Sequence, residues 1–230
     1  MSTSGVQATE TRVPIYSEPG AIPWDYTRTE TIADLTVHVT GLCLGFAASA
    51  VLLTRVAAHG GFRDVVATSV YITGLLLMLT LSAAYNLWPV CPTKWRLRRF
   101  DHSAIYVLIA ATYTFFALNL RANALPLLVG VWSVAALGIA VKLVWPGRLD
   151  RLSIGVYVAL GWSAFILWKS KAAMIPPEAS HLLLAGGTIL TVGVIFHIWR
   201  KLRFQNAIWH LLVLVGVTCH YAAVLDVVLN

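Results

Sequence analysis

The chain has 230 residues, of which 58% are hydrophobic and 12% are charged, with a net charge of +7 and a mean hydropathy of +0.75. This composition excludes an ordinary water-soluble globular protein, because too few charged residues remain to cover a solvated surface. It predicts a polytopic membrane protein, and the positive charge is better explained by lipid headgroups than by nucleic acid.

Polar residues dominate the first thirty positions, which therefore differ in kind from the rest of the chain. This segment contains Pro14, Pro19 and Pro23, and it lacks the basic stub and apolar core of a cleaved signal peptide. Residues 1–30 are predicted to form a flexible polar tail, and residues 31–230 a single transmembrane domain.

Seven apolar runs follow the tail, each long enough to cross a hydrocarbon core about 30 Å thick. They are Ile32–Thr54, Val65–Leu87, Ser103–Leu120, Leu125–Trp145, Leu152–Trp168, His181–Trp199 and Ile208–Leu229. Lipid offers no partner for free backbone groups, and the alternating pattern of a transmembrane β-barrel is absent from these runs. The predicted fold is all-α, an integral membrane bundle of seven transmembrane helices whose short connections make neighbours antiparallel.

Lys and Arg residues are distributed unequally between the two ends of the predicted bundle. The end that carries the N-terminus has eleven of them and the opposite end has five. Cytoplasmic loops are enriched in these residues, so the count predicts a cytoplasmic N-terminus and a C-terminus outside. Lys142 falls near the cytoplasmic end of the fourth span, where its ammonium group is expected to reach the headgroups by snorkelling.

Three pairs of polar residues lie at this same predicted end of the spans. They are Ser82 with Asn86, Asp101 with His102, and Asn206 with His210. The i, i+4 spacing of the first and third pairs places both members on one helix face. Polar groups inside membrane spans are costly, so their recurrence at one depth indicates a functional site. For Asp101 alone, an interfacial ion pair with Arg98 or Arg99 is an equally good interpretation.

Several motifs, taken in order, carry a resemblance to a known family. They are Ser82-Ala-Ala-Tyr-Asn86, Arg99-Phe-Asp101-His102, Leu160-Gly161-Trp162, Gly186-Gly187 and Ile208-Trp209-His210, preceded by Glu30, Asp34, His38 and Gly41. The order of these motifs resembles the hemolysin III family, which is related to the progestin and adipoQ receptors and, more distantly, to the alkaline ceramidases. The resemblance covers residues 28–225.

The resemblance implies a zinc site near the cytoplasmic face of the bundle. In the relatives three histidines bind the metal, at the positions that Asn86, Asn206 and His210 occupy here. His210 is then the retained metal ligand, and Asp101 and Ser82 match the remaining site residues and are the candidate catalytic pair. Neutral amides are weak ligands for zinc, so Asn86 and Asn206 are expected not to bind it.

The sequence leaves two arrangements of this cluster open. In the first, zinc is held at a displaced site that nearby side chains complete: His102, His197 and Cys91. In the second, no metal is bound, and the amides of Asn86 and Asn206 link three side chains across the bundle: Asp101, Ser82 and His210. The metal-free arrangement is preferred, because one histidine and one aspartate do not make a zinc site. Zinc is the only cofactor that the resemblance implies.

The function predicted from these features is that of a hemolysin III-like protein of the bacterial inner membrane. It would act in membrane lipid homeostasis or lipid sensing, with membrane lipids as its partners and no nucleic acid. The alternative is a zinc-dependent lipid amide or ester hydrolase of the ceramidase type. A pore-forming hemolysin is a weaker alternative, because no span carries a sustained polar stripe that would line a wide channel.

Overall fold

The structure is a computed structural model that describes residues 26–119, 125–145, 147, 149–167 and 175–230. Seven α-helices make up this part of the chain: α1 (Arg28–His59), α2 (Phe62–Leu87), α3 (Pro92–Asn119), α4 (Leu125–Val144), α5 (Asp150–Leu167), α6 (Pro177–Ile198) and α7 (Gln205–Leu229). The predicted all-helical fold is confirmed for the described residues. Most of the predicted tail, residues 1–25, lies outside them.

Six of the helices, all except α5, are long and apolar enough to cross a membrane. Most helices begin a few residues before the apolar run that predicted them, and α3 begins eleven residues earlier, at Pro92. The stretch between the second and third apolar runs, which the sequence predicts to be a short connection, is therefore mostly helical, from Pro92 onward. Its basic residues continue the helix, and Trp95 and Arg98 are buried within the structure.

A local sequence signal fixes where α1 begins, and a tertiary contact joins that point to the start of α7. Thr27 and Glu30 form a capping box, in which each side chain accepts a hydrogen bond from the backbone N–H of the other residue. The second carboxylate oxygen of Glu30 accepts a hydrogen bond from the Phe204 backbone N–H at 2.9 Å. Because Phe204 immediately precedes α7, this contact holds the starts of α1 and α7 together.

The helices pack in a ring. α1 lies between α2 and α7, α3 packs on α2 and α4, and α6 packs on α7, while α5 makes few contacts with α3 and α6. The best-filled part of the core lies between α1, α2 and α3, around Leu52, Tyr71 and Phe115. We call the end of the ring that carries loops 88–91, 145–149 and 199–204 the basic end.

Candidate functional site

Asp34 lies at the centre of the polar contacts at the basic end. One turn separates it from His38 on α1, and both side chains face His210 of α7. Asp34 Oδ1 lies 2.6 Å from His210 Nδ1, and Asp34 Oδ2 lies 3.6 Å from His38 Nε2. The two imidazole rings are 4.4 Å apart between centroids. All three residues are buried, with exposures of 6%, 7% and 9% in chain order.

Two asparagines connect this group to α2. Asn206 Nδ2 donates to Asp34 Oδ2 at 2.9 Å and to Asn86 Oδ1 at 3.2 Å. The Asn86 amide nitrogen donates to the Ser82 carbonyl at 3.0 Å and lies 3.4 Å from His210 Nε2. The structure thus brings together four of the residues singled out from the sequence, Ser82, Asn86, Asn206 and His210, and ties α1, α2 and α7 at one depth.

The carboxylate that receives the Asn206 amide is Asp34, in place of the expected Asp101. The reason is topological, because α1 lies between α2 and α7 and carries Asp34 into the space between them. Asp101 is half-buried on α3, and Ser82 and His210 are among the groups that interact with it. Of the candidate catalytic pair, Ser82 therefore belongs to the hydrogen-bonded network and Asp101 lies beside it.

A second polar cluster joins α3, α4 and α5 around Asp150. Arg98 makes an ion pair with Asp150, and Lys142 Nζ lies 2.7 Å from Asp150 Oδ1. His102 Nδ1 lies 3.9 Å from the same oxygen. Lys142 is 3% exposed, so the expectation that it snorkels to the headgroups is wrong. Arg98, which was considered as an ion-pair partner of Asp101, instead neutralises a carboxylate on α5.

The displaced zinc site proposed from the sequence is not assembled. His197 packs against Trp209, with ring centroids 4.8 Å apart, and His102 lies beside Asp150. Cys91 is in the loop before α3, where it is partly exposed. Within the described ranges, the group of three close enough to share one metal ion consists of Asp34, His38 and His210.

A cavity of about 1460 Å³ opens inside the ring and reaches this network. At the basic end its wall includes Asn86, Asp101, Asn206 and His210, together with Asp34. Deeper in the bundle the wall becomes mainly aliphatic and aromatic: Leu108, Ile109, Phe116, Trp162, Phe165, Val213 and Val217. The polar network therefore borders a space that is charged at one end and apolar at the other.

The chain is similar to known proteins over most of its length. The family profile described as Haemolysin-III related matches residues 26–221. The chain belongs to the haemolysin III family. This haemolysin III chain is 38% identical over 202 residues to a protein named Hemolysin-3 homolog from Bacillus subtilis (strain 168), covering 87% of this chain and 95% of that protein. It is 35% identical over 202 residues to Hemolysin-3 of Bacillus cereus, covering 87% and 92% of the two chains.

Family membership and the apolar helices make this haemolysin III protein a multi-span membrane protein. The zinc site implied by the resemblance does not fit the residues present. Asn86 and Asn206 occupy two of the three ligand positions, and their amides are used in hydrogen bonds to each other and to Ser82 and Asp34. Only His210 offers a good zinc ligand at that position.

Asp34 and His38 were not assigned to the site from the sequence, where they served only as part of the family resemblance. A signal for them was present. Their i, i+4 spacing is the same as that of Ser82 with Asn86 and Asn206 with His210. Both also lie near the basic end of a span, and only the packing of α1 against α7 was missing from the sequence argument.

Proposed function

We propose that this protein binds a membrane lipid with an anionic headgroup in its central cavity, and that it acts in membrane lipid homeostasis. The observation that carries the proposal is the polarity of the cavity along its length. A molecule that fills it must be charged at one end and apolar at the other, which describes an amphiphile.

The charge at the basic end selects the kind of headgroup. Seven basic side chains and four carboxylates line the cavity there: Lys94, Arg98, Lys142, Arg151, Arg200, Lys201 and Arg203 against Glu30, Asp34, Asp101 and Asp150. Arg98 and Lys142 share the single carboxylate of Asp150, whereas Arg200, Lys201 and Arg203 are solvent-exposed at the mouth. The excess of positive charge favours a phosphate or carboxylate headgroup.

The membrane placement follows from the same distribution of charge. We propose that the basic end faces the cytoplasm of a bacterial inner membrane, as the excess of Lys and Arg there predicts. α5 is proposed as the seventh span. Its 18 residues correspond to a helix about 27 Å long, close to the hydrocarbon thickness, and its first turn carries Asp150 at the basic end.

A cavity-filling substitution tests lipid binding. Val213 lines the apolar part of the cavity, so Val213→Trp should exclude an acyl chain. Leu211, two residues away on the same helix, is 49% exposed on the outer surface, and Leu211→Trp is the matched control. We expect native mass spectrometry of protein extracted from phosphatidylglycerol nanodiscs to show one retained lipid on wild type and Leu211→Trp, with at least about tenfold less on Val213→Trp.

A competition between two lipids separates recognition of the headgroup charge from binding of the acyl chains. Phosphatidylglycerol should outcompete phosphatidylcholine for wild type, and the preference should fall in Arg200→Gln/Lys201→Gln. Arg55→Gln/Arg63→Gln is charge-matched, and neither residue contributes to the cavity wall. Equal retention of the two lipids by wild type would contradict an anionic headgroup. Retention of lipid by Val213→Trp equal to that of Leu211→Trp would contradict the cavity as the binding site.

A lipid hydrolase is the second candidate, because the Asp34 and His210 side chains face the same cavity. We expect no turnover of ceramide-like or acyl-ester lipids in nanodiscs, since Asn86 and Asn206 remove two ligands from the position where the family places its zinc. Hydrolysis that is lost both with a chelator and in Asp101→Ala would favour the hydrolase. A pore is not favoured, because the deep part of the cavity is lined by apolar side chains.

A further inference from the structure

His38 has a ring nitrogen that no hydrogen bond uses. Nε2 is buried, and within the described part of the chain it has no hydrogen-bond partner. It points toward Asp34 Oδ2 at 3.6 Å, beyond normal hydrogen-bond distance, on the side where the His210 ring lies. A buried polar atom without a partner is uncommon and calls for an explanation such as an ion.

We propose that Asp34, His38 and His210 bind a divalent transition-metal ion, with zinc as the expected occupant. One ligand atom from each residue lies within 4.8 Å of the other two. With bonds of about 2.1 Å, tetrahedral zinc places its ligand atoms about 3.4 Å apart. Small rotations of these side chains reach that spacing. The metal takes the place of the hydrogen bond between His210 Nδ1 and Asp34 Oδ1, whose atoms now lie 2.6 Å apart.

The donor set selects the class of metal. Two imidazole nitrogens and one carboxylate oxygen form a set typical of zinc and related first-row ions, whereas calcium and magnesium prefer sites built from oxygen ligands. The Asp34 carboxylate supplies a negative charge, which offsets part of the charge of the ion in this buried setting. Exposure below 10% for each residue distinguishes the group from an ordinary acidic surface cluster.

One of the two asparagines gains a role in this site. Asn206 Nδ2 donates to Asp34 Oδ2 and so orients the carboxylate. Outer residues of this kind commonly fix metal ligands in place. Asn206 therefore supports a metal from one of the positions at which the family would ligate it.

The proposed site differs from the family arrangement in the helices it joins. Asp34 and His38 come from α1 and His210 from α7, so the ion connects two neighbours in the ring whose starts are already joined through Glu30 and Phe204. The expected consequence is a more stable α1–α7 contact. The proposal does not depend on lipid binding, and the two can fail separately.

Metal analysis of the full chain in detergent tests the proposal. Protein is stripped with a chelator, reloaded with zinc sulfate alone and desalted, and the metal is measured by inductively coupled plasma mass spectrometry. We expect about one zinc per wild-type chain and at least about tenfold less in Asp34→Ala, His38→Ala and His210→Ala. His197→Ala is the matched control, because this histidine lines the cavity outside the group, and it should retain zinc.

X-ray absorption at the zinc edge of the reloaded wild type keeps the test independent of variant folding. Two imidazoles with oxygen ligands are expected. The proposal would be overturned by a spectrum that shows three imidazoles. It would also be overturned if wild type held less than about a tenth of a zinc per chain, or if a folded His38→Ala variant held a full zinc. Thermal unfolding provides the second readout, in which zinc should raise the midpoint of wild type and His197→Ala but not that of His38→Ala.

Discussion

Asp34 couples α1 to α7 through its side chain. Its carboxylate accepts hydrogen bonds from Asn206 and His210 and is almost fully buried. Hydrogen bonds between helices in membranes contribute about 0.6 kcal/mol on average, because alternative partners are found in the unfolded state. A bond to a charged group is stronger, at about 1.5–3 kcal/mol. The Asp34–His210 contact is therefore expected to exceed the ordinary interhelical bond.

A double-mutant cycle of Asp34→Asn and His210→Gln measures this coupling in the metal-stripped protein. We expect about 1.5–3 kcal/mol from reversible unfolding in mixed micelles. The control cycle is Trp162→Phe with Thr191→Val, which removes a neutral bond of 3.1 Å between α5 and α6 and should give about 0.6 kcal/mol. A coupling for Asp34 and His210 no larger than the control would show that the pair is not charge-assisted.

Asn86 and Asn206 permit a second prediction at the residue scale. Asn86→His together with Asn206→His restores the family ligand set with His210, and Asp34→Ala with His38→Ala removes the α1 ligands. We expect this fourfold variant to bind about one zinc per chain, because Asn86 already lies within hydrogen-bond reach of both Asn206 and His210. Metal content and circular dichroism are the measurements. A folded variant without zinc would mean that the backbone has departed from the family geometry.

At the scale of elements, α6 and α7 approach each other closely at Gly186. A Cβ atom added at Gly186 would lie 2.5 Å from His220 Cδ2 and 2.8 Å from the Gly216 carbonyl oxygen. The ring of His220 can move, but the Gly216 carbonyl belongs to the helix backbone and cannot move without shifting α7. Close approach therefore requires glycine at this position.

Gly186→Ala is expected to destabilise the protein by about 1–3 kcal/mol, the usual cost of overpacking. The matched control is Gly130→Ala on α4, where an added Cβ meets nothing within 4 Å and helix propensity favours alanine by up to about 1 kcal/mol. Thermal unfolding in detergent should lower the midpoint for the first variant and leave it unchanged or raised for the second. Equal midpoints would place α6 further from α7 than the structure does.

For the whole molecule, the hydropathy of the sequence predicted the number and the approximate positions of the helices. The apolar runs located all seven helices, but the start of α3 was placed at Ser103, because the basic residues from Lys94 to Arg99 give no apolar signal although they are helical. The i, i+4 pairs and the motif order located Asn86, Asn206 and His210. The contacts of Asp34 with Asn206 and of Asp150 with Arg98 were not predictable from the sequence. They depend on which helices are neighbours in the ring, because the two residues of each contact are far apart in sequence.

The orientation of the whole molecule can be tested at Cys91. This thiol lies in the loop before α3, and the backbone N–H of Lys94 stabilises its thiolate and lowers its pKa. A lowered pKa keeps the reactive thiolate present at a lower pH than for an ordinary cysteine, so labelling should proceed at neutral pH. Cys43 is exposed but lies in the middle of the α1 span, away from the aqueous phase.

We expect a membrane-impermeant maleimide to label Cys91 in inside-out vesicles and not in intact spheroplasts, because the excess of Lys and Arg predicts that loop 88–91 faces the cytoplasm. Cys91→Ser should abolish the labelling. Adding His59→Cys to that variant puts a thiol at the exposed opposite end of α1, and it should be labelled in spheroplasts. Labelling of Cys91 from outside would reverse the proposed orientation, and it would place the basic mouth of the cavity in the outer leaflet.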